Sequence, residues 1–347
     1  MIGRASPRTL GLLGAAGIAV SLLMTAVDSN AALAGWLAAF FAWSAVPLGG
    51  LVLRMMVRLI PGAWGAEIGP TAEMSMTSLP LIGLAVLPIL VGAHALYPWP
   101  ASLADGFRGV YLSTWFFSLR SILFLLGAIG LGFLLAMRPG WSLPLAAGGL
   151  IAFVLIDTTV MVDWLMSLEP DFNSSGFGLY AFAIQMTIAL MTIAGIRLVA
   201  DPAHAQTGLL GALMLTTLLL WEYFAFMQYF IIWSDNLPKE VAWFQRRGSG
   251  IWSAAEYAFS LLSLVPTFLL FFTSVRQSRR WLLAIVAAVL AARLIEVPWL
   301  VFPTVRVSPA LSLGTMAFAL SGLSLISAAF LAWMARAPHG LSRGASQ

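Results

Sequence analysis

The sequence predicts an all-α, polytopic membrane protein of about ten transmembrane helices, and three observations carry that prediction. Of the 347 residues, 61% are hydrophobic and only 9% charged, whereas a soluble chain keeps roughly a quarter of its residues charged. Ten apolar segments recur, each long enough to cross roughly 30 Å of hydrocarbon. The cations cluster at the ends of those segments. With so little polar surface, lipid must be the main solvent, and residues 1–347 read as a single transmembrane domain.

The segments fall near 10–27, 33–53, 79–97, 112–137, 143–168, 176–199, 208–233, 251–275, 281–302 and 310–335. The first follows Arg4 and Arg8 and runs uncharged from Leu10 to Val27. That is longer than the roughly 7–15 residues of a signal-peptide core, so it is read as a span. Pro80 and Pro88 predict kinks in the third span and Pro266 one in the eighth. Neighbouring helices must satisfy the backbone groups that these prolines free.

Net charge is +4, from 18 Lys+Arg against 14 Asp+Glu. With the N-terminus in the cytoplasm, eleven cations fall on inside connections: Arg4, Arg8, Arg54, Arg58, Arg138, Arg197, Arg276, Arg279, Arg280, Arg336 and Arg343. Five fall outside: Arg108, Lys239, Arg246, Arg247 and Arg306. The positive-inside rule then puts both termini of a ten-span chain in the cytoplasm, and no nucleic-acid partner is needed to explain the charge. Trp99, Trp115, Trp164, Trp233, Trp243, Trp252 and Trp299 lie near the outer helix ends and read as an aromatic belt.

Cysteine is absent, which excludes disulfides, thiolate iron–sulfur ligation and Cys-based zinc sites within the chain. His94 is the one histidine in a span, so the histidine pair common at membrane haem is not supplied. No metal or covalent cofactor is expected. Ionisable groups inside lipid cost at least ~2.5–3.5 kcal/mol each at mid-membrane, yet several are present. Asp157 and Glu222 fall near the midplane, while Arg120, Asp163, Glu256, Arg293 and Glu296 fall in the outer half.

Carboxylates running from mid-membrane to one face have the composition of a proton half-channel, so Asp157, Asp163, Glu222, Glu256 and Glu296 are the candidate path. Tyr180, Gln185, Tyr223 and Gln228 are candidate hydroxyl and amide links. A structural reading stands beside this one. Arg293 and Glu296 are three apart on one helical face and form a candidate ion pair, and Asp163 and Glu256 lie close enough to the outer interface to be hydrated. His94, with Tyr97 and Trp99, is a weaker candidate contact for a quinone head group.

Five stretches carry a family resemblance: GAWG at 62–65, PILVGAHALYPWP at 88–100, DWLMSLEPDFNSSGFGLYAFAIQ at 163–185, WEYFAFMQYFIIWSDNLPKEVAWFQR at 221–246 and IEVPWLVFP at 295–303. They resemble the ActF-type membrane subunit of alternative complex III, a bacterial quinol:cytochrome c oxidoreductase, within the wider NrfD/polysulfide-reductase-like family. The resemblance implies two four-helix bundles plus a peripheral helix pair in the bacterial inner membrane. It also implies an ActC-type homologous membrane subunit as partner, with haem and iron–sulfur chemistry in extracytoplasmic subunits. For this subunit it implies a proton path or quinone binding rather than catalysis. The chain departs from the family pattern at Glu222, where Ala is usual, at Glu296 (Asp), at Asp171 (His) and at Gly208-Leu209 (Gly-Lys). Two other classes remain: a stand-alone secondary transporter, for which no matching pair of broken helices is evident, and a scaffold subunit of a terminal-oxidase assembly.

Overall fold

The computed structural model describes residues 6–99, 106–137, 143–305 and 308–336. Among them every regular element is helical. The long helices are α1 (Pro7–Leu23), α2 (Ser29–Leu59), α8 (Thr114–Met137), α9 (Leu143–Trp164), α10 (Phe177–Ala200), α11 (Thr207–Asp235), α13 (Gly250–Leu270), α15 (Arg279–Val305) and α16 (Pro309–Met334). These nine are long and apolar enough to cross a membrane, and a bent run between α2 and α8 supplies a tenth crossing if counted as one span. The protein is a multi-pass membrane protein.

The bent run corrects the sequence reading of the third span, which started it at 79 and left 54–78 as an inside connection. Here α3 (Trp64–Met76) leads into α4 (Leu79–Ala85), α5 (Leu87–Val91) and α6 (Ala93–Leu96), with a bend of 41° between the first two segments. All four run antiparallel to α2. Gly65 packs at Val57, Ser75 at Gly50, and Gly92 at Leu33. Pro80 and Pro88 each open a short helix rather than kink a long one, as expected of residues that lack the N–H for the preceding turn. The acidic Glu67 and Glu73 hid the start of the span, because both are paired: Glu67 with Arg197 at 3.0 Å and Glu73 with Arg54 at 3.3 Å.

Helix α2 is the spine, its most apolar stretch almost wholly buried. Around it α3–α6, α8 and α9 complete one bundle. Helices α10, α11, α13 and α15 form the other, joined to the first through α10 and α15 against α2. Helices α1 and α16 pair at the periphery and reach the core through α2. In lipid, helices gain little from burying apolar surface against each other, so close backbone approach at small residues must hold them. A Cβ at Gly14 would lie 2.9 Å from the Gly322 carbonyl oxygen and one at Gly322 equally close to that of Gly14, while Gly35 has the same role against Ser312 and Thr315.

The two faces differ. Arg8, Arg54, Arg58, Arg197, Arg276, Arg279, Arg280 and Arg336 gather at one set of helix ends, here the arginine face, with Trp64, Trp281 and Trp333 among them; Trp99, Trp115, Trp164, Trp233, Trp243, Trp252 and Trp299 gather at the other, here the tryptophan face. Trp115 and Trp233 are exposed there, as an aromatic belt requires. Trp164, Trp243 and Trp299 are not: they are buried and correct the belt reading. Trp243 stacks on Phe172 with centroids 4.8 Å apart and meets Trp299 edge-on at 5.4 Å.

Candidate functional site

Glu296 is the hub of a buried polar cluster in the second bundle. Its carboxylate lies 2.6 Å from Arg293 Nη1, so the pair expected from the spacing is formed. It also accepts hydrogen bonds from Trp221 Nε1 at 3.1 Å and from the Tyr180 hydroxyl. Four elements of the fold therefore converge: α15 supplies the acid and the arginine, α10 the tyrosine, α11 the tryptophan, and α13 Ser263, which accepts from Arg293. The Arg293 guanidinium lies over the Trp221 ring at 3.9 Å. Glu222, next along α11, bears electrostatically on the same arginine, and its Oε1 is buried without a donor.

Beside the cluster is a cavity of about 340 Å³ lined by Tyr180, Trp221, Glu222, Gln228, Glu256 and Trp299 among others. Its wall reaches lipid between α11 and α13, where Phe226, Tyr229 and Leu264 are exposed. At 1.5 Å per residue, Glu222 lies roughly 20 Å along its helix from the tryptophan face, Glu296 roughly 14 Å and Glu256 roughly 9 Å. The three carboxylates are thus graded in depth, and the Tyr180 hydroxyl reaches inward to Glu296 from a helix position nearer that face.

A lid closes the tryptophan face over this cavity. Helix α12 (Pro238–Arg247) begins at a proline and is fixed by Arg247, a fully buried cation. Arg247 donates to the carbonyls of Trp299 at 3.0 Å, Leu300 at 2.8 Å and Trp243 at 3.0 Å, and to Thr304 Oγ1 at 2.7 Å. The Trp299 carbonyl is available because Pro303, four residues on, has no N–H to offer it. Burial, with Arg246 adding repulsion, pulls the Arg247 guanidinium below its ordinary value; its four acceptors and the Trp243 ring at 3.7 Å work the other way. Arg246 pairs with Glu169, and Lys239 with Asp171 at 3.4 Å.

The remaining sequence candidates lie elsewhere. Asp163 is buried rather than hydrated and is held by Arg120 through two bonds, Nε at 2.7 Å and Nη2 at 2.9 Å. Asp157 is fully buried beside Gln185, and neither carboxylate oxygen has a hydrogen-bond partner. It does not share an interior with Glu222: α9 and α11 each pack extensively on α10 but not on each other. His94 is exposed, with Nδ1 3.4 Å from Thr114 Oγ1. Tyr97 and Trp99 stack at 4.8 Å and give their polar hydrogens to the carbonyls of Trp164 and Ser167, so they pack the turn after α9 rather than face a ligand. Tyr223 is exposed and lines no part of the cavity, whereas Gln228 does. Trp221, Arg247 and Ser263 were missed as site residues; the doublet Pro298/Pro303 in one helix was the available signal for an outside group capping freed carbonyls.

Comparison with models of known protein families and with curated proteins finds no match for this chain. Among the described residues no group of three or more His, Asp or Glu could hold a metal ion.

Proposed function

We propose that this chain is a non-catalytic membrane subunit of a bacterial respiratory quinol:cytochrome c oxidoreductase of the alternative complex III kind. In this reading both termini are cytoplasmic, the tryptophan face is extracytoplasmic and carries the docking surface for haem and iron–sulfur subunits, and an ActC-type subunit is its membrane partner. The cavity beside Glu296 moves protons toward the tryptophan face. The single observation that supports this most is that Glu222 and Glu256 line one cavity at different depths, with Glu296 just behind its wall and bonded to the lining residues Tyr180 and Trp221. The sequence resemblance in 163–185, 221–246 and 295–303 supplies the identity of the complex, since those stretches build the cluster and its lid.

The route is shorter than the carboxylate list alone would suggest. Asp163 is saturated by Arg120, and Asp157 lies across α10, so neither is included. A proton at Glu222 passes by water around the fixed charge of Arg293 to Glu296, then through the Tyr180 hydroxyl to the cavity and Glu256. A second reading, that the cavity takes the quinol ring itself, is favoured by its opening to lipid between aromatic side chains. A quinol would there offer its hydroxyl protons to Glu256 or Glu222.

Both readings are tested with Glu222→Gln and Glu256→Gln in the assembled complex. Proton conduction predicts reduced proton release per quinol with near-normal quinol affinity. Loss of quinol affinity at unchanged proton release favours the quinol site. Unchanged values for both would make the cluster structural and favour the scaffold class, and failure to co-purify with redox subunits, together with solute uptake into liposomes, would favour the transporter.

A further inference from the structure

The first bundle holds a different feature, an apolar trough of about 450 Å³ between α8 and α9, lined by Leu123, Phe124, Gly127, Gly149, Phe153 and Ile156 among others. It opens to the membrane, since Leu123 and Ile156 are exposed at its rims. It runs from Arg120 to Leu131, eleven residues or ~16 Å along the helix. That is about half of the ~30 Å hydrocarbon thickness, the depth of one leaflet.

The head of the trough is polar and incompletely bonded. Arg120 uses Nε and Nη2 on Asp163, and its guanidinium lies between the rings of Tyr111 at 3.9 Å and Phe116 at 4.5 Å. Tyr111 turns its hydroxyl toward Asp163 as well; burial and then the Asp163 charge push that hydroxyl up to about 12, so it remains a donor. What is left is Arg120 Nη1, buried and without any acceptor. Leaving a buried donor unmet is costly, and more so on a charged group than on a neutral one, so this atom points to a missing oxygen. The Arg120–Asp163 pair is already neutral, and a charged acceptor brought to Nη1 would also meet the Asp163 carboxylate. The missing oxygen is therefore an uncharged one.

We propose that the trough is a specific site for one diacyl phospholipid of the leaflet on the tryptophan face, with an acyl chain along the trough and an ester carbonyl accepting from Arg120 Nη1. The chain has the right length, since an acyl tail spans one leaflet, whereas a partner helix spanning the membrane needs about twice the trough. The carbonyl has the right depth, because Arg120 stands six residues or ~9 Å inside the start of α8, below where a phosphate would sit. The trough also has a firm base: a Cβ at Gly149 would press on Leu131 at 3.2 Å and Met55 Sδ at 3.3 Å, so this glycine lets α9 close against α8 and α2 there.

The test uses the full-length protein in mild detergent, stripped of lipid and given back one phospholipid, with bound lipid counted by native mass spectrometry. The expected result is one tightly held diacyl lipid per chain, and at least tenfold weaker retention of the diether analogue, which lacks both carbonyls. Gly127→Phe fills the trough where a Cβ meets no atom within 4 Å, so the variant should fold and melt as the parent does while losing the lipid. Gly130→Phe, equally open but outside the trough, should retain it. Equal retention in Gly127→Phe, or a broad distribution with no distinguished single equivalent, would mean annular lipid only and overturn the site. Equal binding of diether and diacyl lipid overturns the carbonyl contact, and a photocrosslinker at position 127 that captures a partner polypeptide instead of lipid overturns the occupant.

Discussion

The two bundles each bury an arginine–carboxylate pair, and the contrast between them shows that such a pair is not by itself a functional site. On the α8/α9 side Arg120 grips Asp163 through two parallel bonds under aromatic rings, a unit that leaves no carboxylate free to pass a proton on and only Arg120 Nη1 open. On the other side Arg293 and Glu296 share one short contact, and the acid spreads its remaining capacity over Tyr180 and Trp221 from two other helices. The first arrangement ends at its own partner. The second connects onward, to Glu222 through the arginine and to the cavity through the tyrosine. Surroundings decide which carboxylate can exchange a proton.

The largest effect expected from breaking either unit is at Arg293. Arg293→Met leaves a fully buried Glu296 uncompensated and should cost about 3–5 kcal/mol, read as a lower midpoint of thermal unfolding in detergent. Adding Glu296→Gln should restore more than half of that loss; an undamaged single variant would mean the pair carries no stability. Arg120→Met should cost less, about 2–3 kcal/mol, because Asp163 keeps the Tyr111 hydroxyl after losing two charge-assisted bonds. If the two arginine variants prove equally destabilising, the distinction between a closed and a connected pair is lost as an energetic one.

Glu256→Gln should change stability by no more than ~0.5 kcal/mol, as for a substitution away from any saturated network. Proton release and unfolding measured on that one variant would separate conduction from architecture most sharply. The smallest effect lies on the arginine face, where the His204 hydrogen bond and then Arg197 hold the Asp201 carboxyl below its ordinary range. Because its folded value is depressed, its contribution is complete above the ordinary value of 3.8 and fades as pH falls through the lower folded one. Asp201→Asn should thus separate slightly from the parent in melting temperature at neutral pH, and the gap should close in strong acid.

Hydropathy made the nine long helices legible to within a few residues, apart from the ends of α2, because each must bury or face lipid over its whole length. It failed on α3, whose Glu67, Glu73 and Pro70 depress the local average; those acids are tolerated because Arg197 and Arg54 meet them in space. The Arg293–Glu296 pair was legible from a spacing of three. Tyr180 was legible as a hydroxyl link but not as the partner of Glu296, and Trp221 was not legible at all, the two being 116 and 75 residues away in sequence. Depth in the membrane could be counted from helix ends, but the side of a helix could not, which is why Asp157, Asp163 and Glu222 read as one set and separate in the fold.

Arg247 has a consequence for how the chain is made. Two of its three carbonyl partners, Trp299 and Leu300, lie 52 and 53 residues later, so during synthesis from the N-terminus they are absent when α12 emerges and only Trp243 is at hand. Until α15 has been inserted, that guanidinium has to remain in contact with water or headgroups, because burial without acceptors costs several kcal/mol. The lid can therefore shut only late in biogenesis. Until then the aromatic groups of 221–246 remain open to the proteins that assist membrane insertion, and the bonds from Arg247 mark the end of that interval.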